Sequence, residues 1–338
     1  MTQEPKIAIL VTSIAPPNDV LSQLAVGAER EKWEFIVIGD LASPSDFHLE
    51  GCDFYSIERQ LESDFKFAKL CPTRHYARKN IGYLLAIQNK VSIIIETDDD
   101  NIPREEFWQP RTRKQEAKIA RNMGWTNAYR YFTEANIWPR GFPLDAIVNE
   151  RPDWDALEVG RVDCPIQQGL ADENPDVDAI YRLILPLPQN FRTDRRLALT
   201  RGSWCPFNSQ NTTWWSDAFP LLYLPAYCSF RMTDIWRSFV AQAIAWANDW
   251  SILFHEPTVW QDRNEHNLMK DFGQEVEGYL KNREICETLA ALKLESGTDK
   301  LMDNMRICYE SLVKISAIAP EELELLDAWL GDLEFLIS

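Results

Sequence analysis

Apolar residues along the first hundred positions come in short runs separated by helical spacing. Ile7 to Ile14 (IAILVTSI) is nearly continuous in apolar character, as expected of a strand covered on both faces. A helical stretch over Leu21 to Arg30 follows, and then a second run, Phe35 to Ile38, that ends at Gly39-Asp40. From Thr73 to Asn89 the spacing is again helical, with Ala77, Ile81, Leu84 and Leu85 at i, i+4, i+7 and i+8. A third run, Val91 to Ile95, stops abruptly at Glu96-Thr97-Asp98-Asp99-Asp100. Strand, helix, strand, helix, strand predicts an α/β fold with a Rossmann-like, mostly parallel sheet flanked by helices. Ligands of such sheets sit beyond the carboxyl ends of the strands. The three aspartates fall there.

The stretch from about 101 to 230 is rich in Pro, Asn, Asp and Trp with little periodicity, and predicts short strands and long functional loops. A strong helix is expected over Thr233 to Trp250, with Trp236, Val240, Ala243 and Ala247 on one stripe. After about Tyr279 the pattern turns helical. Leu301, Met305, Cys308 and Leu312 form one stripe, and Pro320 to Leu336 opens on Pro-Glu-Glu, a helix-start signal. These features divide the chain into a main domain, residues 1–280, and a C-terminal helical appendage, residues 281–338.

With 45% hydrophobic and 12% aromatic residues the chain can bury a large core. The thirteen tryptophans are expected to be mostly core residues, with some free to line a site that stacks on flat or sugar-like ligands. The net charge of −17 argues against nucleic-acid and anionic-membrane surfaces as partners. A phosphate-bearing small ligand would need a divalent cation and local Arg or Lys to offset that field. Seven scattered cysteines, with no C-x-x-C pair, argue against a disulfide framework and a structural zinc. The N-terminus has no signal-peptide pattern and no apolar run is long enough to span a bilayer, so a cytoplasmic location is expected.

Three adjacent carboxylates at a strand end repel one another, and partial burial makes this worse. A hard divalent cation, Mn²⁺ or Mg²⁺, relieves the repulsion and shares its shell with substrate phosphates. In an extended segment Asp98 and Asp100 would face one way as metal ligands and Asp99 the other. The competing reading is a solvated loop whose aspartate caps a helix beginning near Pro103.

The strand followed by Asp98-Asp99-Asp100 resembles the D-x-D motif of GT-A type glycosyltransferases. Other segments are similar to the STELLO-type glycosyltransferase-like family and, more distantly, to the reversibly glycosylated polypeptides, the UDP-arabinopyranose mutases. They are Arg78 to Ile87, Glu96 to Pro103, Arg140 to Pro143, Gln167 to Leu183, Pro206 to Thr212, Phe230 to Phe239 and Val259 to Phe272. The resemblance implies a GT-A fold in which Thr12 and Ser13 lie near the base and ribose, with Asp99 also on the donor. It implies that Arg78 and Asn80 reach the donor, where Arg suits bidentate phosphate contact. Asp234 matches the position of a general base in inverting enzymes; helix capping is the plainer reading. His255 matches a late histidine that completes the metal shell, with His266 as the rival, whereas His48 and His75 sit in polar, structural contexts. Asp176 and Asp178, in the acidic run Asp172 to Asp178, and Asn208 and Asn211 are candidates for sugar or acceptor contacts. The mutase-like group carries an arginine a few residues past its R-G-Y-P; here that place falls near Ile147 and the nearest arginine is Arg151.

Together these features imply transfer of a sugar from a nucleoside diphosphate sugar, UDP-sugar being favoured, to a separate glycan or other small acceptor. The alternatives are a nucleotide-sugar mutase and a non-catalytic GT-A scaffold for other glycan-building enzymes. The helical tail leaves a homo-oligomer open.

Overall fold

A computed structural model describes residues 5–262 and 267–337 of the chain. The three apolar runs form the strands Ile7–Thr12, Glu34–Ile38 and Ile93–Thr97. Their isoleucines and valines suit a pleated surface covered on both sides. Helices Asp19–Glu31 and Lys79–Gln88 lie between them in the chain. The first helix is opened by Asn18, whose side chain accepts the Leu21 N–H at 2.8 Å, and closed by Lys32 in the left-handed conformation at φ 59°.

Among the described residues eleven strands make one large sheet. Across it the order is Asp53–Tyr55, Glu34–Ile38, Ile7–Thr12, Ile93–Thr97, Asn211–Trp215, Ile166–Asp172, Ile252–Gln261, Arg196–Leu199, Lys114–Ala120 and Glu158–Asp163, with Asn101–Pro103 pairing onto Ile252–Gln261. The first four are mutually parallel. Asn211–Trp215 is inserted antiparallel between the acidic strand and Ile166–Asp172. Ile252–Gln261 then runs parallel to Ile166–Asp172. The sheet is parallel in its first half and mixed beyond it, flanked by helices. This is the α/β class, with a Rossmann-like sheet flanked by helices, that the sequence predicts.

The reversed strand has a positional consequence. Two antiparallel steps restore the original direction, so Thr12, Ile38, Thr97, Asp172 and Gln261 all end at one edge of the sheet, and Asn211 begins there. Segments far apart in the chain are delivered to that rim.

The C-terminal helices Leu268–Ala290, Leu301–Lys314 and Glu322–Ile337 are present. The expected boundary after residue 280 lies inside the first of them, and one hydrophobic cluster holds residues from both sides. Trp329 meets Phe67 edge-on at 6.2 Å and Tyr83 at 6.5 Å. The Asp332 carboxylate accepts the Lys66 and Phe67 N–H groups at 3.0 and 2.8 Å, capping the short helix Lys66–Leu70.

Buried Glu322 accepts hydrogen bonds from the Tyr223 hydroxyl, the Ala226 N–H (3.0 Å) and the Tyr227 N–H (2.6 Å). Burial pushes its carboxyl up to about 7, against the pull of those three donors. A carboxyl raised in the fold holds its proton longer than in the unfolded chain. Its contribution is therefore complete below the ordinary glutamate value of 4.5 and declines as pH rises towards 7. Glu322→Gln is expected to flatten that part of the stability profile, measured by urea unfolding between pH 4.5 and 7.5. An unchanged slope would contradict this.

Candidate active site

The shared rim encloses a cavity of about 790 Å³. One part of its wall comes from the ends of the first two strands, with Thr12, Ser13, Gly39 and Asp40. The acidic turn Asp98-Asp99-Asp100 forms another, and Arg140, Asp176, Arg231 and Asp234 a third. The volume is in the range of sites that bury a small molecule.

The acidic segment is a turn, not an extension of the strand. The Asn101 N–H donates to the Asp98 carbonyl at 3.3 Å, and Asn101–Pro103 leaves as a short strand. The expected alternation of side chains therefore does not arise, and the helix expected near Pro103 is the 3-10 turn Glu105–Trp108, preceded by Arg104 and not capped by an aspartate. All three carboxylates reach the cavity wall and fan out to different supports. Asp98 accepts from the Tyr76 hydroxyl at 3.1 Å, Asp99 from the Ser13 hydroxyl at 2.5 Å, and Asp100 from the Gln261 amide at 3.0 Å.

A buried ammonium sits behind this turn. Lys79, with 0% of its side chain exposed, donates to the Tyr76 hydroxyl at 2.8 Å and the Thr97 carbonyl at 3.0 Å, and lies 3.6 Å from Asp98. Burial nevertheless outweighs Lys79, and together with Asp100 and Asp99 it pushes the Asp98 carboxyl up to about 7. One lysine against three carboxylates leaves a deficit that a divalent cation would fill. Among the described residues no three acid, histidine or cysteine side chains close into a metal cage. A cation here would take one or two carboxylates of the turn and complete its shell with water and ligand phosphate, as Mg²⁺ commonly does.

Arg140 organises the other end. Its guanidinium bridges Asp176 (2.9 and 2.8 Å) and Asp234 (3.0 and 2.9 Å), and also donates to the Arg231 carbonyl. Burial raises the Asp176 carboxyl, but Arg140 wins and holds it near 2. Asn208 adds a bond to Asp176 at 2.9 Å, and Ser209 approaches Asp234 at 3.3 and 3.4 Å. The loop carrying Arg140 passes close to the helix Thr233–Ala247 because Gly141 has no side chain. A Cβ there would lie 2.4 Å from Ile235, and its φ of +84° also favours glycine. The Tyr76 hydroxyl contacts the Ser209 hydroxyl at 2.7 Å, so a hydrogen-bonded path joins Asp98 to Asp234.

The sequence candidates divide accordingly. Thr12, Ser13, Arg78, Asp98, Asp99, Asp100, Asp176 and Asp234 meet at the cavity. Arg78 is 2% exposed and donates to Gln60 (2.7 Å) and the Cys71 carbonyl (2.9 Å), but its second terminal nitrogen is buried without a partner. Asn80 is drawn off the rim: it donates to the Leu224 carbonyl and accepts its N–H, at 2.8 and 2.9 Å. Asp178 caps the helix Ala179–Ile184, accepts the Trp138 indole N–H at 2.7 Å, and is raised to about 6 by burial. Asn208 supports Asp176 from behind, and Asn211 is tied to Leu170 and Thr258 within the sheet.

His255 does not line the cavity. It precedes Gln261 by six residues on one strand, with an irregularity in register between His255 and Val259, and it is Gln261 that touches the acidic turn. Burial lowers its imidazole to about 4, with Glu256 opposing, and Arg196 lies opposite it in the sheet. The rival, His266, lies outside the described residues. Among the described residues no tryptophan lines the cavity; Trp214, Trp236 and Trp329 are fully buried. Arg151 lies over the Tyr131 ring at 4.7 Å and does not line the cavity.

Tyr76, Lys79, Arg140 and Gln261 carry much of this geometry; the last three lie in segments that carry the resemblance, but none of the four is a site candidate from the sequence. Arg140 had a signal, the following Gly141, but nothing local tells that its partners lie in two distant segments.

Residues 231–337, which include Asp234, match the family of STELLO glycosyltransferases. The Arabidopsis thaliana proteins named probable glycosyltransferase STELLO2 and STELLO1 are each 26% identical over 354 residues, covering 96% of this chain and 44% of theirs. The chain is STELLO-like along nearly its whole length. It spans less than half the length of those STELLO relatives. Two solved structures are similar in shape. One is a mycobacterial protein with 11% identity and a TM-score of 0.41, covering 82% of this chain and 75% of that one. The other is Mycobacterium tuberculosis glucosyl-3-phosphoglycerate synthase in complex with phosphoglyceric acid, with 11% identity and a TM-score of 0.39, covering 82% and 80%. No helix among the described residues of this STELLO-like chain is long and apolar enough to cross a membrane.

Proposed function

We propose that this chain is a metal-dependent glycosyltransferase that takes a nucleoside diphosphate sugar as donor and passes the sugar to a separate glycan or small acceptor. The observation that carries the reading is the acidic turn on the wall of a ligand-sized cavity, with Lys79 as its one close cation among the described residues. UDP-sugars are the first donors to test. Thr12, Ser13 and Asp40 would hold the nucleoside, and the unpartnered nitrogen of Arg78 offers a further donor there. A Mn²⁺ or Mg²⁺ ion on Asp98 and Asp100 would supply Lewis-acid stabilisation of the departing diphosphate.

Arg140 and Ser209 fix the Asp234 carboxylate in one orientation. The Ser209 contacts are the longest that carboxylate makes, at 3.3 and 3.4 Å. An acceptor hydroxyl that takes their place would meet Asp234 directly. As its oxygen bonds to the anomeric carbon and the bond to the diphosphate breaks, its proton passes to Asp234. Transfer to a separate acceptor is preferred to the mutase reading because the mutase-type arginine has no counterpart on the cavity wall.

The test is calorimetry with nucleoside diphosphates, with and without Mn²⁺, followed by release of nucleoside diphosphate from a panel of donors. Asp98→Asn is expected to abolish the Mn²⁺-dependent part of binding and to slow release on the order of 100-fold or more, the value of several kcal/mol of charge stabilisation. Equal binding by wild type and Asp98→Asn would remove the metal assignment.

A further inference from the structure

Among the described residues four arginines line the cavity: Arg74, Arg78, Arg140 and Arg231. Three are anchored on protein partners. Arg140 is held between Asp176 and Asp234, Arg231 pairs with Glu275 at 3.1 Å, and Arg78 is anchored on Gln60 and the Cys71 carbonyl. Arg74 differs. It is exposed at the cavity mouth, and among the described residues it makes no ion pair or side-chain hydrogen bond.

Its backbone is also unusual. Arg74 has φ 56°, a left-handed conformation that costs a non-glycine residue energy and is retained where surrounding structure enforces it. The enforcement is visible on its carboxyl side. The His75 N–H donates to the Asp40 carboxylate at 2.9 Å, and the His75 ring accepts the Ala77 N–H at 3.0 Å, opening the turn that leads to Tyr76 and Arg78. Glycine would satisfy that turn at lower conformational cost, yet the position carries a long cation facing a cavity whose other described arginines are each anchored on protein groups.

We propose that Arg74 is a diphosphate-binding residue of the donor site, its guanidinium taking phosphate oxygens that the acidic turn alone would repel. The assignment rests on the nucleoside-diphosphate reading above. Arginine suits it because its planar fork presents paired donors to a phosphate.

The test uses the full chain and two variants, Arg74→Gly and Arg74→Gln, with nucleoside diphosphates, the matching nucleoside monophosphate and Mn²⁺ in calorimetry, and a thermal melt without ligand. Loss of a charge-assisted hydrogen bond predicts about 10–100-fold weaker diphosphate binding in both variants. Monophosphate binding should change far less. The melting temperature of Arg74→Gly should be no lower than that of the parent. Because Arg74→Gln keeps a polar, hydrogen-bonding side chain and removes the charge, diphosphate binding by that variant at parental affinity overturns the proposal while leaving the donor reading intact. If the parent binds no nucleoside diphosphate, the donor reading fails and this assignment fails with it.

Discussion

Replacing Arg237 with leucine is expected to destabilise the fold by about 3–5 kcal/mol, because it strands a buried carboxylate. Glu96 and Arg237 are 0% and 1% exposed and joined by bonds of 3.0 and 2.8 Å. Glu96 also accepts from the Trp214 indole at 2.8 Å and from the Tyr83 hydroxyl, and the Arg237 guanidinium lies 5.0 Å above the Trp214 ring. The pair joins the acidic strand to the helix that carries Asp234 one turn earlier. Urea unfolding of Arg237→Leu measures the loss directly. The double variant Glu96→Gln with Arg237→Met should recover most of it, since a neutral amide still takes the indole hydrogen and no charge is left buried. A single variant as stable as wild type would show that Glu96 finds another partner or is not held as a charge.

Arg140→Lys is expected to leave a folded protein with donor release slowed on the order of 100-fold or more. One ammonium cannot reproduce the two bidentate contacts that Arg140 makes to Asp176 and Asp234. The two carboxylates then lose their fixed spacing, and misplacement at a reacting centre carries a penalty of this size. Mn²⁺-dependent nucleotide binding should stay close to wild type, because the acidic turn and the strand ends around Ser13 are untouched. Arg140→Ala goes further. It leaves two like charges in a buried place and should cost about 3–5 kcal/mol of stability. Steady-state release and calorimetry on the same preparations separate the effects. A Lys variant that loses nucleotide binding in parallel with turnover would place Arg140 on the donor instead.

The fold was largely legible because its first half is written in local pattern. The runs at Ile7, Phe35 and Val91 are strands buried on both faces, and the stripe through Trp236 and Val240 is a helix whose faces are all covered. The reversed strand Asn211–Trp215 was not legible as such. Asn211 to Trp214 are buried, as they would be in a parallel strand, and only the pairing with Ile93–Thr97 and Ile166–Asp172 gives the strand its direction.

For the site, polar residues that looked alike in the chain part ways in the fold. Asp176 and Asp178 stand two residues apart in one acidic run. Asp176 meets Arg140 at the cavity, whereas Asp178 is spent on a helix cap and an indole. Asn80 lies one residue beyond Lys79, yet it braces Leu224 while Lys79 stands behind Asp98. His255 lies on the strand that does reach the rim, six residues before Gln261, which meets the acidic turn.

By itself the amino-acid order determined the elements and the accumulation of acid at the end of the Val91 strand, because apolar periodicity and like-charge crowding act between near neighbours. Only the tertiary structure decided that Lys79, Tyr76, Arg140, Asp176, Asp234 and Gln261 share that rim. Their meeting depends on strand direction and register, which are set by pairing across the sheet and have no trace in spacing along the chain.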